Sequence, residues 1–229
     1  MILGVIGGMG PLATCNFFEK IIRLTSADKD QDHIHVIIDN NTSIPDRTDY
    51  ILGHGTDPRP ELIRSAIKLE SMGADYIAIP CNTAHYFYED LIRYTNAKVI
   101  NMIEETAMYL KKAYPEYRDY LLLSTEGTYK SEIYKKAFEK HGLKIIEPSY
   151  EDKKTVMGWI YSVKSSVFNV TSEDFESLVS KYVEKKGTPV ILGCTELSTL
   201  ADRIDLTFKY VDPLLILAKR CVEIHQSVG

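Results

Sequence analysis

Two cysteines stand in matching surroundings, and a thiol can both take and give a proton. Cys81 closes the apolar run Tyr76-Ile77-Ala78-Ile79-Pro80 and is followed by Asn82, Thr83, Ala84 and His85. Cys194 closes Pro189-Val190-Ile191-Leu192-Gly193 and is followed by Thr195, Glu196 and Leu197, 113 positions later (194 minus 81). At an ordinary pKa of about 8.5, only a few per cent of a thiol is ionised at neutral pH. A helix N-terminus and donors such as Thr83 and Thr195 raise that fraction. On opposite faces of a carbon acid, one thiolate removes the Cα proton while the other thiol delivers one from behind, which inverts the stereocentre in either direction. Such acid–base help contributes ~10² to 10⁴-fold. Donors to the enolate-like carboxylate supply much of the rest, and Asn82, Thr83, Thr125, Thr128 and Thr195 are the candidates.

A lone cytosolic cysteine is more often a small buried hydrophobe. Repetition of the strand-end setting favours the functional reading for Cys81 and Cys194, whereas Cys15 and Cys221, on apolar helix faces, read as packing residues. His85 lies in an apolar-aromatic helix start and suits a structural role as well as that of a base. Glu196 reads as auxiliary, setting the protonation of the second thiol or capping the helix that follows.

These residues need strands that end at them and helices that begin beside them. Residues 2 to 6 read as a strand, Gly7 to Pro11 as a glycine loop that admits a small anion, and 12 to 24 as a helix. The spacing GxGxxG is absent, so no dinucleotide is expected. A strand over 33 to 39 empties into the polar loop 40 to 48. Asp57-Pro58 opens a helix carrying Leu62, Ile63, Ala66, Ile67 and Leu69, which Gly73 ends. The Cys81 strand precedes a helix over 86 to 94, a strand over 97 to 100 and a helix over 104 to 113. The pattern then restarts: a strand from Tyr120, a helix with Tyr129, Ile133, Tyr134, Ala137 and Phe138, a strand over 143 to 146 and a helix over 152 to 163. Thr171 and Asp174 cap a stripe of Phe175, Leu178, Val179, Tyr182 and Val183. The Cys194 strand, a strand over 208 to 211 and a helix from Pro213 complete the chain.

The β-then-α order predicts an α/β fold of two pseudo-symmetric domains, each a mostly parallel sheet flanked by helices, with the active site in the cleft between them. Gly10 and Gly127 are 117 positions apart (127 minus 10), close to the interval between the cysteines. The predicted division is 1–105 and 106–211, with a terminal helix over 212–227 returning to the first half.

The bulk properties narrow the function classes. The 229 residues are 45% hydrophobic, which suits a folded globular chain. A net charge of −5, with no basic run, is the wrong sign for nucleic acid. No apolar run approaches the roughly 18 residues of a membrane span, and the glycine-broken start does not read as a signal peptide. A cytoplasmic location without disulfides is expected. Four cysteines with no CxxC spacing argue against a zinc site, and no metal or cofactor is expected.

Taken together, Gly7-Gly8-Met9-Gly10-Pro11 with Ala13-Thr14, Pro80-Cys81-Asn82-Thr83-Ala84-His85 and Gly193-Cys194-Thr195-Glu196-Leu197 resemble the aspartate/glutamate racemase family, from the first strand to the last. The resemblance implies a cofactor-independent amino-acid racemase, usually a homodimer, with the motif cysteines as its two bases. Glutamate racemases of cell-wall synthesis typically begin with Asp-Ser-Gly and carry His after the second Cys-Thr. Gly-Gly-Met-Gly and Glu196 are more like the aspartate branch. There a loop arginine and a lysine of the second half hold the side-chain carboxylate, matching Arg47 and Lys164 here, and Met9 joins the substrate-binding set. Glutamate is one methylene longer, a difference worth about 1–3 kcal/mol, so glutamate or broader specificity stays open beside aspartate. The alternative outside catalysis is an amino-acid binding protein that kept the cleft.

Overall fold

The computed structural model of the protein describes residues 1–183 and 187–228. Its first half runs β1 (Ile2–Gly7), α1 (Pro11–Leu24), β2 (His35–Asn40), α2 (Arg47–Ile51), α3 (Arg59–Ser71), β3 (Tyr76–Ala78), α4 (Tyr88–Leu91), β4 (Lys98–Val99) and α5 (Met102–Ala113). The second runs β5 (Asp119–Leu123), α6 (Glu126–Ser131), α7 (Ile133–Lys140), β6 (Lys144–Ile146), α8 (Tyr150–Lys164), α9 (Ser172–Val179), β7 (Val190–Leu192), α10 (Thr195–Ala201) and β8 (Tyr210–Val211), and α11 (Pro213–Val228) follows.

Two four-stranded sheets result, ordered β2-β1-β3-β4 and β6-β5-β7-β8, with every pairing parallel. The second order is the first with each strand replaced by its counterpart, so the fold is a pseudo-symmetric pair of α/β halves. β3 and β7, which lead to the two cysteines, hold equivalent interior places: Leu3 pairs with Tyr76, and Leu122 with Ile191. Strands flanked on both sides and covered by helices are apolar on both faces. Ile77, Ala78 and all of β7 are accordingly buried.

α11 lays Leu214, Leu217, Ala218 and Cys221 against Leu3, Val5 and Phe17 of the first half. α5 belongs to both cores: Met102 joins that cluster, while Ile103, Ala107 and Leu110 pack with Tyr120, Tyr134 and Phe138. Cys221 is thus a packing residue whose thiol burial pushes upward. Cys15 corrects the expectation of an apolar face, because α1 buries Ala13, Thr14, Phe17 and Ile21 and leaves Cys15 exposed.

Local elements differ from the sequence pattern where side chains capture the backbone. The loop after β2 ends in α2, because the Asp46 carboxylate accepts from the Thr48 and Asp49 amides as its N-cap. The helix expected over 86 to 94 is a 3₁₀ turn over Thr83–Phe87 followed by the single turn α4. The helix expected after β5 breaks into α6 and α7 at Glu132, whose φ of 56° is left-handed. Thr171 and Asp174 form the capping box as expected, but α9 stops at Val179.

Two glycines mark close approaches. Gly8 has φ 89°, and a Cβ there would lie 2.4 Å from the Asn41 carbonyl carbon, so the glycine loop is shaped by its own chain. A Cβ on Gly127 would lie 2.8 Å from Thr48 Cα, which places α6 directly on α2 across the two halves. No helix among the described residues is long and apolar enough to cross a membrane.

Candidate active site between the halves

Both interior strands end just short of a cysteine, and the two cysteines line one cavity of about 20 Å³. The first half contributes Met9, Arg47, Cys81, Asn82 and Thr83 to its wall, and the second contributes Thr125, Lys164, Cys194, Thr195 and Glu196. Of the residues that the sequence offered for catalysis or binding, Thr128 and His85 are set back from this wall. Asp46 and Thr48 line it too, and the sequence did not single them out. A space of this size holds about one water. It adjoins a wider cavity of about 460 Å³ that shares Met9, Asp46, Arg47, Lys164 and Glu196 and opens past Leu12, Ile44 and Val163. A larger cavity, about 620 Å³, lies by Asp119 and Lys181 at the amino end of β5, away from both thiols. In parallel α/β sheets ligands bind at the carboxyl ends of strands, which favours the thiol site.

The two thiols have different neighbours. Cys194, the residue before α10, donates its Sγ hydrogen to Glu196 Oε2 at 3.0 Å, and the Thr195 hydroxyl donates to the same oxygen at 3.3 Å. Burial first, then the charge and the accepting bond of Glu196, push the Cys194 thiol well above its ordinary range; Lys164 opposes them only in part. The expectation that a helix start would favour the thiolate therefore fails at Cys194, where burial and the adjacent carboxylate outweigh the short helix. The main chain beside Cys81 is pinned by His85: the Met102 amide donates to Nε2, so Nδ1 carries the hydrogen and donates to the Cys81 carbonyl at 2.9 Å. Burial lowers the His85 pKa and keeps the ring neutral. His85 is a brace, and both its nitrogens are engaged.

Around the thiols stand hydrogen-bonding groups. The Thr83, Thr125 and Thr128 hydroxyls are each 3.0 Å from the other two, a closed triangle joining the halves with Thr128 at its back. The Tyr134 phenol donates to Asn82 Oδ1 at 2.5 Å, and Asn82 Nδ2 has no partner among the described residues. Nothing in the sequence pattern marks Tyr134, whose contact depends on how α7 meets the other half.

At the mouth, buried Arg47 donates to the carbonyls of Ile44, Pro45 and Met9 at 3.3, 2.9 and 3.3 Å, and its Nε has no partner among the described residues. No carboxylate among the described residues accepts a hydrogen bond from it, so the guanidinium is a buried cation without a bonded counter-ion. Lys164 lies 3.7 Å from Asp46 across the cleft. Burial disfavours the Lys164 ammonium, but Glu196, Cys194 and Asp46 outweigh it and raise the pKa. Burial likewise raises Asp46, yet the Asp49 amide, Lys164, Arg47 and the Thr48 amide together bring its carboxyl below the ordinary value. The site therefore has Arg47, Lys164 and Asp46 at its mouth and hydrogen-bond donors at its base, and is lined by one thiol from each half.

The profile of the Asp/Glu/hydantoin racemase family matches residues 6–221. The broad-specificity amino-acid racemase RacX of Bacillus subtilis strain 168 is 28% identical over 227 residues, covering 97% of each chain. The aspartate racemase of Picrophilus torridus superposes with a TM-score of 0.86 at 30% identity, over 98% of this chain and 94% of that one. An aspartate racemase homologue from Pyrococcus horikoshii OT3 gives 0.77 at 26% identity, over 98% of each. The match runs from the end of β1 into α11 and takes in both thiols: the chain belongs to the Asp/Glu/hydantoin racemase family.

Proposed function

We propose that the protein racemises an acidic amino acid, aspartate foremost, by moving protons between Cys81 and Cys194 on opposite faces of the Cα, with no cofactor. The observation that carries this reading is that these two thiols, from equivalent positions of the two halves, line the same cavity. In one direction Cys81, as thiolate, takes the Cα proton, and the Cys194 thiol protonates the other face. Glu196 favours that starting state, because its carboxylate holds the hydrogen on Cys194. In reverse, the Cys194 thiolate left by that step takes the Cα proton from its own face and the Cys81 thiol delivers one from the other, so the two thiols share one mobile proton.

The rest of the wall supports the same chemistry. Asn82 Nδ2 is a donor without a partner, and Thr83 and Thr125 stand beside it; together they stabilise the charge that develops on the α-carboxylate. Arg47, a buried cation lacking a bonded anion, suits the side-chain carboxylate of aspartate, and Lys164 supplies a second positive charge. An amino acid exceeds a space of one water, so the halves part to admit it and close on it, with Lys164 exchanging Asp46 for substrate.

A broader substrate range is the second reading. It is favoured by the outer cavity, whose apolar wall of Leu12, Ile44 and Val163 leaves room for larger side chains, and by the broad-specificity relative. A chiral assay of the purified protein with aspartate, glutamate and neutral L-amino acids, without pyridoxal phosphate, tests both. Formation of D-aspartate above all other products is expected. Comparable inversion of neutral amino acids would replace aspartate by the broader reading, and no inversion of any would end the racemase proposal.

A further inference from the structure

The amide of Asn82 is held in one orientation by a residue of the opposite half. Tyr134 lies on α7, fully buried, with its ring 5.6 Å from that of Phe138 in the core of the second half. Its hydroxyl reaches Asn82 Oδ1 of the first half at 2.5 Å, and this is its only hydrogen bond among the described residues. Asn82 is 3% exposed and lines the cavity between the thiols, where its Nδ2 has no partner.

An amide presents one donor end and one acceptor end, so fixing one fixes the other. A phenol hydrogen needs an acceptor, and Oδ1 provides it. With the amide turned over, the buried phenol hydrogen would lack an acceptor, and a carbonyl oxygen would face a site that must receive a carboxylate. Either error leaves a buried polar group unpaired or opposed, at the full desolvation cost of that group.

We infer that Tyr134 is a positioning residue for the reaction: its hydroxyl turns the Asn82 amide so that Nδ2 donates to the substrate's α-carboxylate. The inference rests on the racemase reading and deepens it. Burial drives the Tyr134 phenol well above its usual range, so it stays a donor at any working pH. Because Tyr134 and Asn82 belong to different halves, the amide is set only where the halves meet.

The test is a double-mutant cycle on kcat/KM for aspartate racemisation, with thermal melting to confirm folding. Tyr134→Phe keeps the ring and its packing and removes only the hydroxyl; a fall of about tenfold is expected, from the size of one hydrogen bond. Asn82→Ala is expected to fall further, and the double variant to match Asn82→Ala alone. Asn82→Asp keeps an acceptor for Tyr134 but replaces the cavity-facing donor, and a loss larger than that of Tyr134→Phe is expected. Losses that multiply in the double variant, Tyr134→Phe within twofold of wild type, or Asn82→Asp with near-normal turnover would each overturn the inference while wild-type turnover leaves the racemase reading standing. A wild-type protein that inverts no amino acid would remove both.

Discussion

At the scale of single residues, the site treats two like thiols unlike. Burial raises the Cys194 pKa, and a carboxylate that takes its hydrogen bond adds to the effect. In the proposed racemisation this makes Cys194 the thiol that starts as acid, with Glu196 helping to hold its hydrogen. Glu196→Gln removes the charge and keeps the size, so the Cys194 pKa falls and its thiolate forms at lower pH. Iodoacetamide labelling of Cys194, followed by peptide mass spectrometry across a pH series, should set in at lower pH in the variant than in wild type. An onset at the same or higher pH would show that burial alone holds the proton. The cysteines and Arg47 were legible in the sequence because each stands in a recognisable stretch. Tyr134 and Asp46 were not: one acts through a contact between halves, and the other acts through a cap that starts a five-residue helix.

Secondary-structure elements carry these side chains to a common point, and α6 on α2 is a close join between the halves. Gly127 permits it, since a Cβ there would lie 2.8 Å from Thr48 Cα and 2.9 Å from its Oγ1. Backbone cannot yield as a flexible side chain can. Gly127→Ala is therefore expected to cost about 1–3 kcal/mol of unfolding free energy, as overpacking does, and to lower turnover by displacing Thr125 and Thr128. Denaturant unfolding measures the first; a change below about 0.5 kcal/mol would place the contact among ordinary surface substitutions. Strands were the more legible elements, because β3 and β7 are buried on both faces and read as unbroken apolar runs. The helix boundaries that failed, at α2, after Cys81 and at Glu132, are places where a cap, a bound histidine or a left-handed residue overrides periodicity.

As a whole molecule, the protein is one α/β plan used twice, with α5 shared between the cores and α11 returned to the first. Such duplication sets equivalent strand ends against each other, and a symmetric proton exchange is the chemistry that this arrangement suits. In the proposed reaction each half supplies one monoprotic base. Brief incubation with L-aspartate in heavy water tests it most directly, with mass analysis of both enantiomers before equilibrium. Newly formed D-aspartate is expected to carry deuterium at Cα while recovered L-aspartate still carries protium, and Cys81→Ala and Cys194→Ala are each expected to abolish inversion. Equal early deuteration of both enantiomers, or inversion that survives loss of either thiol, would contradict it.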